Sequence, residues 1–93
     1  MRVSINYQGR VQGVGFRATA RDVVQRQPPS KPLLTGWVRN EPDGSVQMEL
    51  QGPTPAVEAA LAELQSVMAR HIRTTHRSEM SELAGERAFV IAH

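Results

Sequence analysis

Val3, Ile5 and Tyr7 alternate with Ser4, Asn6 and Gln8, the period of a strand with one buried face, and predict a first strand. Gly9, Gly13 and Gly15 then crowd a short stretch that predicts a tight loop. Beyond it Phe16, Ala20, Val23 and Val24 recur at helical spacing, and Pro28-Pro29 forbids continuation, so a helix is expected over roughly Arg17 to Arg26. The proline-rich Gln27 to Pro32 reads as an extended surface connection. Leu33 to Asn40 predicts a second strand with β-favouring bulk at Trp37 and Val38 and a weak point at Gly36. Glu41-Pro42-Asp43-Gly44 is a turn signal, and Val46, Met48 and Leu50 alternate behind it with polar residues, which completes a hairpin. Thr54 as N-cap, Pro55 at the first helical position and an apolar face of Val57, Leu61, Leu64 and Met68 predict a second helix. From His71 to Leu83 the charges follow no period, but Ile72, Thr74 and Thr75 favour a strand. After a turn at Ala84-Gly85-Glu86, Ala88 to Ala92 forms a terminal strand.

The order β-α-β-β-α-β with a short extra C-terminal strand predicts an α+β, ferredoxin-like sandwich: an antiparallel sheet with two helices on one face. Ninety-three residues make one domain, 1–93, large enough for a core without a metal or disulfide. The absence of cysteine excludes disulfide scaffolds, Cys-ligated zinc and cysteine nucleophiles. No window approaches the roughly 18 apolar residues of a membrane helix, and the first residues lack an apolar leader core, so a cytoplasmic, membrane-free chain is expected. Ten of the eleven cations are arginine, whose donor fork suits phosphate or carboxylate.

A glycine-rich turn between strand and helix lets backbone N–H groups converge on an anion, helped by the positive helix start. Gly9 to Gly15 meets that description, with Arg17 in the first turn beyond it. Neither phosphate-loop pattern in common use fits. No lysine follows Gly15, and Gly13-Val14-Gly15 is followed by Phe16, Arg17 and Ala18 rather than by a third glycine in the dinucleotide register.

The run Gly9-Arg10-Val11-Gln12-Gly13-Val14-Gly15-Phe16-Arg17, followed by Gly36-Trp37-Val38-Arg39-Asn40, Asp43-Gly44-x-Val46 and Leu50-Gln51-Gly52, resembles the acylphosphatase family in register from about Val3 to Leu64. The resemblance implies hydrolysis of carboxyl-phosphate anhydrides without metal or cofactor. Its two catalytic positions land on Arg17 and Asn40, and its phosphate cradle on the backbone amides of Gly9, Arg10, Val11, Gln12, Gly13, Val14 and Gly15. Two features depart from the family: a longer, proline-rich Gln27 to Pro32 connection, and an Arg70 to His76 stretch without apolar alternation.

The chemistry also stands on residue types. A carboxylate leaving group departs without a general acid, so gripping the phosphoryl oxygens and placing a water in line suffices. Arg17 suits the first task, and the neutral amide of Asn40, which donates and accepts without titrating, suits the second. A phosphocysteine route is impossible, and no histidine lies near either block in sequence. His71 and His76 face opposite sides of a strand and make no metal site, His93 reads as a chain end, Asp43 as a turn former, and Asp22 as a surface partner of Arg21 or Arg26. Arg39 and Trp37 share the strand face opposite Asn40. The expected partner is a small-molecule acyl phosphate, with inorganic phosphate or sulfate competing. RNA binding lacks an aromatic platform, a monomer is expected, and the competing function is a non-catalytic module that binds phosphate or an acyl phosphate.

Overall fold

The computed structural model describes residues 1–27 and 34–93. Its elements run β1 (Arg2–Gly9), α1 (Phe16–Gln25), β2 (Thr35–Asn40), β3 (Val46–Gln51), α2 (Thr54–Val67), β4 (Ile72–Met80) and β5 (Phe89–Ile91). One sheet takes the order β4-β1-β3-β2-β5. All neighbours are antiparallel except β5, which runs parallel to β2, so the terminal strand makes the expected antiparallel sheet mixed.

Period-two patterning carries the sheet. Val3, Ile5 and Tyr7 of β1 and Val46, Met48 and Leu50 of β3 are all buried, and the residues between them remain partly exposed. Phe16, Ala20, Val23 and Val24 of α1 and Val57, Ala60, Leu61 and Leu64 of α2 close the same core. Each large side chain so buried contributes about 1.5–3 kcal/mol. Gly36 is the close approach inside the sheet, because a Cβ there would lie 1.9 Å from the Glu49 carbonyl oxygen.

Two expectations change, and a third falls outside the described residues. Thr54 is the first helical residue rather than the cap; Pro53 holds the N-cap position, and no side chain bonds there. Among the described residues Asp22 does not pair through its carboxylate: Arg26 bonds Glu63 of α2 at 2.8 Å and reaches only the Asp22 carbonyl. The start of the predicted second strand at Leu33, and Pro28 to Pro32 of the preceding connection, lie outside the described residues.

The irregular stretch is β4, and its missing apolar alternation has a cause. Thr75 and Arg77 contact α2 through Gln65 and Glu58 instead of packing apolar groups beneath it. The strand forms because its backbone pairs along the length of β1, from Arg2↔Met80 to Gly9↔Ile72. On the open face Arg39 stacks 4.6 Å over the Trp37 ring and bonds Glu41 at 2.8 Å, which places both on the expected side.

Candidate active site

The loop between β1 and α1 is shaped by two left-handed residues, Gly13 and Gly15, both at φ 78°, a conformation that favours glycine. A Cβ at either position would meet nothing within 4 Å, so the demand is on backbone angle and not on space. Alternating handedness turns successive N–H groups toward one side, the geometry of an anion-binding concavity. Among the described residues, the amides of Val11 to Gly15 donate no well-formed hydrogen bond to the protein. Gly15 is also the N-cap of α1, no acidic residue sits in that helix's first turn, and the open amides there add to the positive end.

Not every residue of the sequence block belongs to this concavity. Gly9 closes β1 at a bulge where a Cβ would lie 2.5 Å from the His71 carbonyl oxygen, so its glycine serves the approach to β4. The Arg10 amide donates to that same His71 oxygen at 2.9 Å, and this engagement takes it out of any cradle. Gln12 acts through its side chain: Nε2 donates to the carbonyl oxygens of Glu41 at 2.8 Å and Ser45 at 2.9 Å. The loop is thereby tied to the turn that follows Asn40.

That turn is itself well held. Glu41 donates its amide to Ser45, Gly44 to Glu41, and the Asp43 carboxylate accepts from the Ser45 amide and hydroxyl. The Ser45 hydroxyl, with its amide, holds the Asp43 carboxyl below its ordinary value, as the expected turn role requires. Asn40 ends β2 two residues after the fully buried Val38 and so lies on the helix side of the sheet. Gly13, Gly15, Arg17 and Asn40 line one open cavity of about 560 Å³. Its apolar wall includes Phe16 of α1 and Phe89 and Ile91 of β5. The described residues contain no group of three or more His, Asp or Glu side chains placed to hold a metal.

A family profile described as Acylphosphatase matches residues 3–91. The chain belongs to the acylphosphatase family. An acylphosphatase of Methanospirillum hungatei is 36% identical over 92 residues, 97% of this chain and 94% of that one. One from Salinibacter ruber reaches 52% over 60 residues, covering 64% of this chain and 58% of the relative. The crystal structure of acylphosphatase from Bacillus subtilis superposes with a TM-score of 0.82 at 27% identity, over 99% of this chain and 98% of that one. Family membership thus extends past the in-register blocks into β4 and β5, where the sequence had offered no motif.

Two lining residues escaped sequence reasoning. His93 lines the cavity instead of being only a chain end. Arg21 lines it too, and its position four residues after Arg17 was the available signal, since i and i+4 share a helix face.

Gln12 carries a prediction of its own. Gln12→Ala removes both loop-to-turn bonds, while the Glu41 and Ser45 carbonyls keep their backbone donors. Stability should fall by only about 1–2 kcal/mol in urea unfolding. Turnover should fall at least about tenfold, because small misplacements of a positioning group are amplified in rate.

Proposed function

We propose that the chain hydrolyses acyl phosphates to carboxylate and inorganic phosphate by direct in-line attack of water, with Arg17 and the amides of Val11 to Gly15 gripping the phosphoryl group and Asn40 orienting the water. The carrying observation is that Arg17 and the αL-glycine loop line one cavity with Asn40, which is distant from them in sequence. Arg17 and the loop offer charge and donors to the phosphoryl oxygens, which gain most when the transition state spreads charge over them. Asn40 accepts from and donates to a water without changing protonation state. The carboxylate leaves as a weak base, and a phosphoryl oxygen of the substrate takes the water's proton, so the scheme requires no protein acid or base.

The non-catalytic binding module is not favoured, because the Methanospirillum relative that spans nearly the whole chain is itself an acylphosphatase. In this reading the chain works as a cytoplasmic monomer on a small-molecule substrate, with phosphate and sulfate as competitors. No helix among the described residues is long and apolar enough to cross a membrane.

The test is hydrolysis of benzoyl phosphate in the presence of a chelator, by the wild type and by Asn40→Ala and His93→Gln. The wild type should turn over and Asn40→Ala should not. His93→Gln should keep turnover within about tenfold, since a general base would be worth about 10²–10⁴. An inactive wild type that still binds phosphate would overturn the reading in favour of the binding module.

A further inference from the structure

Arg21 stands in the second turn of α1, exposed, and lines the same cavity as Arg17 and Asn40. No hydrogen bond or ion pair engages it among the described residues. Asp22 is its chain neighbour, and adjacent positions do not face each other on a helix. No Asp or Glu side chain lines the cavity. Helix stability alone would not favour this arrangement. Two guanidiniums at i and i+4 repel by a few tenths of a kcal/mol, and they crowd the positive end of a helix with no acidic residue in its first turn. The phosphoryl group is held by Arg17 and the loop, and Arg21, one helical turn further on, faces the same space with no acidic side chain beside it.

We propose that Arg21 is a second anion position, and that the preferred substrates are acyl phosphates whose acyl chain ends in a carboxylate. The inference rests on the acyl-phosphate reading above and adds the substrate class. Four residues of helix rise separate the two guanidinium stems by about 6 Å, the span of a short dicarboxylic chain between its phosphate and its free carboxylate. Phe16, Phe89 and Ile91 supply an apolar wall for the intervening methylenes. The guanidinium fork can take the distal carboxylate in two-point contact. Because the distal group lies away from the reacting bond, its contact is the same in ground and transition state, and it acts on KM more than on kcat.

The experiment compares succinyl phosphate with acetyl phosphate, which share the anhydride and differ in the distal charge, for the wild type, Arg21→Gln, Arg21→Lys and Arg21→Glu. The expected result is a wild-type preference for succinyl phosphate in kcat/KM. Arg21→Gln lowers the succinyl-to-acetyl ratio about tenfold through KM, Arg21→Glu lowers it further, and Arg21→Lys keeps most of it. Thermal unfolding of each variant checks the fold, which an exposed position should leave unchanged. A ratio indifferent to the charge at position 21, in an enzyme that hydrolyses both compounds, overturns the second anion position and leaves the acyl-phosphate reading standing. A wild type that hydrolyses neither these compounds nor benzoyl phosphate overturns both.

Discussion

Arg17→Ala should abolish inorganic-phosphate binding and acyl-phosphate turnover together, whereas Asn40→Ala should lose turnover and keep phosphate affinity within a few-fold. The two residues come from different elements, the first turn of α1 and the last position of β2, and meet only at the cavity. Arg17 adjoins the αL-glycine loop, and in the proposed mechanism it holds the phosphoryl group in substrate, transition state and product alike. Its charge gains further as the transition state develops, and its loss should lower kcat/KM by about 10³-fold or more, the range seen for arginines that stabilise phosphoryl transfer. Arg17→Lys should recover only part of this, since an ammonium restores charge without the two-point fork. In the same proposal Asn40 touches the nucleophile and not the anion. Its removal should cut kcat by about 10²–10³, the effect of deleting one preorganised donor. Phosphate titration calorimetry beside steady-state kinetics separates the two roles. Parallel loss of affinity in both variants would refute the division of labour.

Much of this site was legible in the residues because backbone angle and helix spacing are local properties. Gly13 and Gly15 had to adopt a positive φ for the loop to close, and Arg17 had to follow in the first turn. Asn40 could be placed on the helix side of β2 from alternation with Val38. What stayed hidden depends on contacts distant in sequence. Gly9 and Arg10 look like part of an anion loop, yet they are spent on the His71 carbonyl of β4, a partner no local pattern announces. Gln12 reads as one more cradle amide, although its carboxamide is what joins the loop to the Asn40 turn. β4 is hard to recognise because Thr75 and Arg77 meet α2 through polar side chains, so the apolar alternation that marks a half-buried strand never appears. The wall that β5 adds to the cavity follows from its parallel pairing with β2, which terminal apolar residues alone do not specify.

Arg2→Met should be the most destabilising single substitution outside the apolar core, and sequence alone offered no hint of it. Arg2 is 1% exposed on the sheet face away from the helices. Its guanidinium donates through Nε and Nη2 to Glu49, through Nη1 and Nη2 to Glu86, and through Nη1 to Gln51. Gln51 in turn bonds both the amide and the carbonyl of Leu83. The network therefore fastens the connection between β4 and β5 to β1 and β3, and so helps set where β5 begins its run toward the cavity wall. Removing the arginine strands two largely buried carboxylates, with side-chain exposures of 20% and 15%. The loss should be about 3–5 kcal/mol, a large share of the roughly 5–15 kcal/mol that stabilises such a domain. Arg2→Met/Glu49→Leu/Glu86→Leu should regain most of it, because replacing a buried ionic cluster whole avoids the uncompensated charge. The same cluster sets an acid limit. The Arg2 hydrogen bond holds the Glu86 carboxyl below its ordinary 4.5, so its contribution is complete above that value and is lost as pH falls through the lower folded one. Urea midpoints followed by fluorescence of Trp37, the single tryptophan, should drop on acidification below about pH 4.5 in the wild type. The drop should be shallower in Glu86→Gln, which removes the titrating group while keeping an acceptor for Arg2. An equal acid slope in both would move the limit to other carboxylates and leave the Arg2 cluster a structural contact without a pH role.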